Sequence, residues 1–400
     1  MKADRAFWRG AFVLLVANGL GGALNYGFQV QAARKVSLIE YGILNSWIAD
    51  ITVMMSIGVL CQMLGVYFPF NRRQLRWTGT GILVLAIVLS IFLIILERQG
   101  LLIGTLGTLA VVAIGIPSSW LAGQLQGRLR FGSLGLAGVL SATAKLGIAS
   151  ADLASQGGVQ NFYLAITLSG AISGGSLGIA ALLTAATDST NPPIIDGALK
   201  RISSALLLAL ASALVPQLDL INLRQTQTAS VIGQYSRVAL FAKAIFFGAS
   251  TALQVTLPLH LRGKSVNTGD KQAQVILRTE ILLLAVCGLG AIVAAWVGPW
   301  LSMHYLGFDL ALYRSWILLT GLIASVLFGL LQDFQRSCAG LNWQRAALGI
   351  GGLLGLLGLN LIVRPDSVEL YLTLALCYYT MLLAVLLATS RKIRRFKKTA

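Results

Sequence analysis

The chain has 400 residues, of which 56% are apolar and 11% charged, with 31 Lys and Arg against 14 Asp and Glu. A soluble domain is about one quarter charged, so the composition excludes a soluble globular enzyme, a disordered tail and a secreted disulfide scaffold. On a chain this apolar, the net charge of +17 marks the loops of a membrane protein rather than a nucleic-acid surface.

Twelve apolar segments follow one another, at 8–32, 39–66, 76–96, 100–121, 134–154, 161–186, 200–223, 230–258, 276–298, 311–332, 345–363 and 368–390. Each is long enough to cross about 30 Å of hydrocarbon as a helix. The runs are continuous rather than alternating, which predicts helices and not barrel strands. The first segment follows a basic Met1–Arg9 stretch that mimics a signal peptide. Its apolar run continues to Ala33 without a small-residue cleavage site, so it reads as an uncleaved span. Trp8, Trp77, Trp120, Trp296, Trp300, Trp316 and Trp343 stand near segment ends, where an interfacial belt belongs. The longest central polar connection, Thr187–Leu199, carries Pro192-Pro193, which breaks helix. The predicted fold is therefore an all-α polytopic membrane protein with about twelve transmembrane helices in two six-helix bundles. Residues 1–190 form the first bundle, and residues 191–400 form the second with a short basic tail from Arg391 to Lys398.

Of the 31 basic residues, 22 fall on the side that holds both termini and 6 on the other. The positive-inside rule places both termini in the cytoplasm of a cell membrane. The basic tail reads most simply as a contact for anionic lipid. The two halves echo each other weakly: Ile39-Glu40-Tyr41-Gly42 opens segment two, and Val231-Ile232-Gly233-Gln234-Tyr235 opens segment eight. Two related six-helix halves are a transporter pattern.

Other chemistries find no support in the motifs. Cys61, Cys287, Cys338 and Cys377 are scattered, and only His260 and His304 could join them, so no metal site or other cofactor is expected. Arg262-Gly263-Lys264-Ser265 ends like a phosphate loop, but Pro258 occupies the first glycine position. No Ser/His/Asp set or catalytic carboxylate pair occurs on a long external loop, and no enzyme activity is expected.

Polar groups inside apolar segments carry the functional information, because ionisable groups at mid-bilayer are costly. Segment one carries Asn18, Gly22, Asn25 and Gln29 on one helical face. This stripe fits solute contact and interhelical glue equally well. Asp50 and Lys145 lie about eleven residues into their segments, near the midplane at 1.5 Å per residue, and Lys243 is similarly deep. Arg237, Asp219, Asp152 and Asp333 fit either a cavity role or snorkelling and interfacial pairing. The three cations Lys145, Arg237 and Lys243 suggest an anionic guest such as a phosphate or pyrophosphate. Asp50 and Asp219 are candidates to take up a proton or Na⁺ as the guest leaves.

The stretch Leu218-Asp219-Leu220-Ile221-Asn222-Leu223, followed by Ile232-Gly233-Gln234-Tyr235-Ser236-Arg237 and then Leu257-Pro258 and Gly269-Asp270, resembles the polysaccharide flippases of the multidrug/oligosaccharidyl-lipid/polysaccharide exporter superfamily. Glu40-Tyr41-Gly42 is similar to that family's turn after helix one. The resemblance follows element order along nearly the whole chain. It implies a V-shaped cavity between two bundles, alternating access, and an isoprenoid-pyrophosphate-linked glycan as substrate. It fits a monomer in contact with membrane lipids, with a proton or sodium ion as coupling partner. The chain departs from the family in being shorter than many members, in having only three buried cations and in the neutral stripe of segment one. A small-molecule or drug antiporter of the same superfamily is the alternative. A major-facilitator signature is missing, since the second loop reads Gly65-Val66-Tyr67-Phe68-Pro69-Phe70-Asn71-Arg72-Arg73.

Overall fold

The computed structural model describes residues 2–68, 70–98, 105–128, 130–151, 157–187, 214–262, 270–339 and 367–399, with isolated residues at 211 and between 349 and 356. The chain divides into two compact units, Met1–Ala205 and Leu206–Ala400. The predicted division at residue 190 lies outside the described residues. So do most of segment eleven, the first part of segment seven, and Asp152.

The first unit holds seven helices: α1 (Lys2–Lys35), α2 (Leu38–Met54), α3 (Ser56–Tyr67), α4 (Arg72–Arg98), α5 (Thr105–Gly127), α6 (Phe131–Ala151) and α7 (Gly158–Thr187). Local chemistry sets several boundaries. Ser37 and Glu40 form a reciprocal capping box at the start of α2, which satisfies donors that the first helical turn leaves open. Asn71 and Gln74 do the same for α4: each backbone N–H donates to the other's side-chain oxygen, at 2.9 and 2.8 Å. Segment two, predicted as one span, is one membrane-length stretch, Leu38–Val66, built of two successive helices. The break falls at Met55, whose side chain lies against Gly58 and Gly115.

Helix association in lipid depends on close backbone approach at small residues, and the glycines supply it. A Cβ at Gly178 on α7 would stand 2.8 Å from the Gly79 carbonyl oxygen of α4. A Cβ at Gly123 on α5 would fall 1.9 Å from the Gln62 carbonyl oxygen of α3. Leu75, Ile82, Leu121, Leu125, Leu177 and Ala181 form a core among α4, α5 and α7. The opposite face of α4 leaves Val84, Ile87, Val88 and Ile91 about half exposed, as lipid-facing residues are.

The second unit opens with a 3-10 turn at Val215–Gln217, then α8 (Leu218–Leu223), α9 (Ala229–Arg262) and α10 (Asp270–Leu301). Helix α10 contains Pro299 and passes into a π turn, Ser302–Leu306, closed by Gly307 in the left-handed region at φ 76°. A wide turn next to a proline is a common end for a helix that loses one of its hydrogen bonds. Helices α11 (Arg314–Ala339) and α12 (Val368–Thr399) follow. Gly321 of α11 meets Ala291 of α10, where an added Cβ would lie 2.7 Å from the alanine methyl. Among the described residues, eight helical stretches are long and apolar enough to cross a membrane.

Candidate functional site

Each unit has its own polar centre. In the first, Lys145 on α6 donates to Asn25 Oδ1 on α1 at 2.6 Å, and its ammonium lies 5.4 Å from the centroid of the Phe28 ring. Asn25 in turn donates to the Gly21 carbonyl one turn back at 2.9 Å. Phe28 is buried and meets Phe162 of α7 edge-on at 5.5 Å. A charge-assisted hydrogen bond and a ring face thus hold a half-buried cation inside a helix pair. Gln29 turns the other way and accepts from the Tyr41 hydroxyl of α2 at 3.4 Å. Asn18 is half-buried on the stripe shared with Asn25 and Gln29, and Asp50 is half-buried on α2. Toward the far end of the same helix pair, Gln31 donates to Ser150 Oγ at 2.8 Å, and Lys35 donates to the Ala149 carbonyl at 3.2 Å.

In the second unit the centre is Asp219, in the first turn of α8. Its Oδ1 accepts from the Leu220 amide at 2.8 Å, and its Oδ2 accepts from the buried hydroxyl of Tyr235 on α9. Lys243, Tyr371 and Tyr379 lie within electrostatic reach of this carboxylate. Asn222, three residues after Asp219, is fully buried and donates to the Tyr371 hydroxyl of α12 at 3.3 Å. The Tyr379 hydroxyl, Ser236 Oγ and Gln217 Oε1 are buried and have no hydrogen-bond partner among the described residues. A carboxylate ringed by tyrosine hydroxyls, an amide and a lysine can exchange its charge partners as a proton or cation comes and goes.

The predicted residues therefore separate. Asn25 and Lys145 come together, and Asp219 and Lys243 come together, while Gln29 pairs with Tyr41. The Arg237 guanidinium covers the Phe308 ring at 4.7 Å, in the loop after the π turn. Sequence reasoning missed the roles of Tyr371 and Tyr379. Their only trace was a pair of tyrosines eight residues apart in the last apolar segment, two turns along one helix. The weak echo between the halves acquires a structural counterpart. Tyr41 and Tyr235 are both fully buried near the starts of their helices, and each donates to a polar residue on the preceding helix. That residue is Gln29 in the first unit and Asp219 in the second.

No family model and no curated protein matches this chain. Solved structures do. One is the outward-facing conformation of a multidrug resistance MATE family transporter of the MOP superfamily, with TM-score 0.63, 13% identity, and coverage of 98% of this chain and 97% of that one. The inward-facing conformation of a MATE transporter of that superfamily gives TM-score 0.52 at 13% identity, covering 95% and 99%. The Vibrio cholerae MATE transporter VcmN in its bent form gives 0.56 at 14% identity, covering 100% and 99%. Such neighbours have 12 transmembrane helices in two bundles. The chain is an all-α, multi-pass membrane protein with the fold of the MATE transporters of the MOP superfamily.

Proposed function

We propose that the chain is an ion-coupled transporter that exports a small organic solute by alternating access, with Asp219 as the coupling group. One observation carries the reading: a half-buried carboxylate in a helical membrane unit, held by Tyr235 and within electrostatic reach of Lys243 and two further buried tyrosines. A single intramembrane acid so enclosed has to exchange charge partners to be useful, and coupling is such an exchange. The likeness to MATE transporters, two of them named as outward-facing and inward-facing, supports the alternating-access part. Lys145 with Asn25 and the neutral residues of α1 form the solute-binding side. A fixed cation repels cationic solutes, so the preferred solute is anionic or neutral.

A second reading, the flipping of an isoprenoid-pyrophosphate-linked glycan, rests on the same lysine, whose ammonium suits a pyrophosphate head group. Vesicles containing the purified protein separate the two. An imposed proton or sodium gradient is expected to drive accumulation of a small fluorescent organic anion. Gradient-driven movement of a labelled lipid-linked oligosaccharide, with the small anion left behind, transfers the assignment to the flippase. Movement of neither overturns the transporter reading.

A further inference from the structure

We infer that the outer face of α4 is a specific binding site for an anionic phospholipid of the leaflet that the Lys/Arg bias assigns to the cytoplasm. Four arginines with described side chains gather where α4 begins, and they divide into two kinds. Arg72 and Arg128 are structural. Arg72 donates to the Ala185 carbonyl and, at 2.9 Å, to the Ala186 carbonyl at the end of α7. Arg128 donates to the Phe70 carbonyl at 2.5 Å and to Gln124 Oε1 at 3.1 Å.

Arg73 and Arg76 are different. Both are exposed, and neither guanidinium makes a hydrogen bond or ion pair among the described residues. Glu40 and Asp50 are the carboxylates among the described side chains of this unit, and both belong to α2. Glu40 caps that helix at the opposite end of the unit, and Asp50 lies within its span. Among the described residues, the positive charge of Arg73 and Arg76 therefore has no carboxylate counterpart.

The rest of the face has the layout of a lipid. Trp77, next to Arg76, is 69% exposed, as suits a ring at the headgroup level. Beyond it Val84, Ile87 and Ile91 continue the same exposed side. From Thr80 to Ile91 the helix rises about 16 Å at 1.5 Å per residue. That matches the hydrocarbon depth of one leaflet, about half of 30 Å. Two cations for a phosphate, a tryptophan at the ester level and an apolar row one acyl chain deep are the three parts of a phospholipid, in order. Charge complementarity selects an anionic headgroup over a zwitterionic one.

The test uses the full-length protein in bilayers that contain acyl-brominated phosphatidylglycerol or acyl-brominated phosphatidylcholine at equal mole fraction. Bromine quenches nearby tryptophan, and the Trp77 signal is obtained as the difference between wild type and Trp77→Phe. The expected result is stronger quenching by the anionic lipid, with relative affinity falling about fivefold for each arginine removed. The double variant Arg73→Gln/Arg76→Gln, and its own Trp77→Phe partner, should then show no preference. Equal quenching by the two lipids in wild type overturns the proposal, as does a preference that survives the double variant. A monodisperse gel-filtration peak for every variant shows that loss of preference is not loss of fold.

Discussion

Gln124 shows how much one buried side chain can organise. It is 1% exposed, donates to the Gly65 and Phe68 carbonyls at 2.8 and 2.7 Å, and accepts from the Phe70 amide at 2.7 Å. It ties the connection between α3 and α4 to α5. Gln124→Ala strands those buried partners, so it should cost about 2–4 kcal/mol, read as a lowered melting temperature in detergent. An unchanged melting temperature would mean that the connection holds itself. On the proposed function, Lys145 is the functional counterpart. Lys145→Met keeps the aliphatic bulk over Phe28 and removes the charge that Asn25 accepts. The expected outcome is normal protein level with the transport KM for an anionic solute raised about tenfold or more. Arg237→Met removes the guanidinium that covers Phe308 and is expected to raise that KM less than Lys145→Met does. Comparing the two variants in one assay tests the division between them.

Among the described glycines, Gly123, between α3 and α5, leaves the least room. The Gly123 position lies against the backbone of Gln62, and Gly65 faces Trp120 and Gly123 in return. Gly123→Ala has to push the helices apart, which in a packed interior costs about 1–3 kcal/mol, and should lower both yield and melting temperature. Full stability in that variant would show that the contact is looser than the geometry says. The elements themselves were largely legible. Continuous apolar runs place α4, α6 and α7 within a few residues of their ends, because hydrophobic length alone decides a span. The break at Met55 was not legible. It depends on a side chain finding two glycines, Gly58 and Gly115, one of them 60 residues further on, and no local pattern announces that. The candidate site was half legible for the same reason. Buried charge flagged Asp219, Lys145 and Lys243 from composition. Tyr371 and Tyr379 join Asp219 only through packing of α12, which one-dimensional periodicity does not encode.

For the whole molecule, each unit carries a buried tyrosine that donates to the preceding helix, but the acceptor is neutral Gln29 in one and the carboxylate of Asp219 in the other. On the proposed function, ion coupling belongs to the second unit and solute contact to Lys145 and Asn25 in the first. The most direct measurement compares wild type with Asp219→Asn in the same reconstituted vesicles, by gradient-driven accumulation of an organic anion and by its exchange across the membrane without a gradient. Asparagine keeps an oxygen to accept from Tyr235 but removes the charge that a proton or cation would balance. Asp219→Asn is expected to retain exchange and to lose gradient-driven accumulation. Accumulation equal to wild type in that variant would contradict that assignment and remove Asp219 from the coupling step.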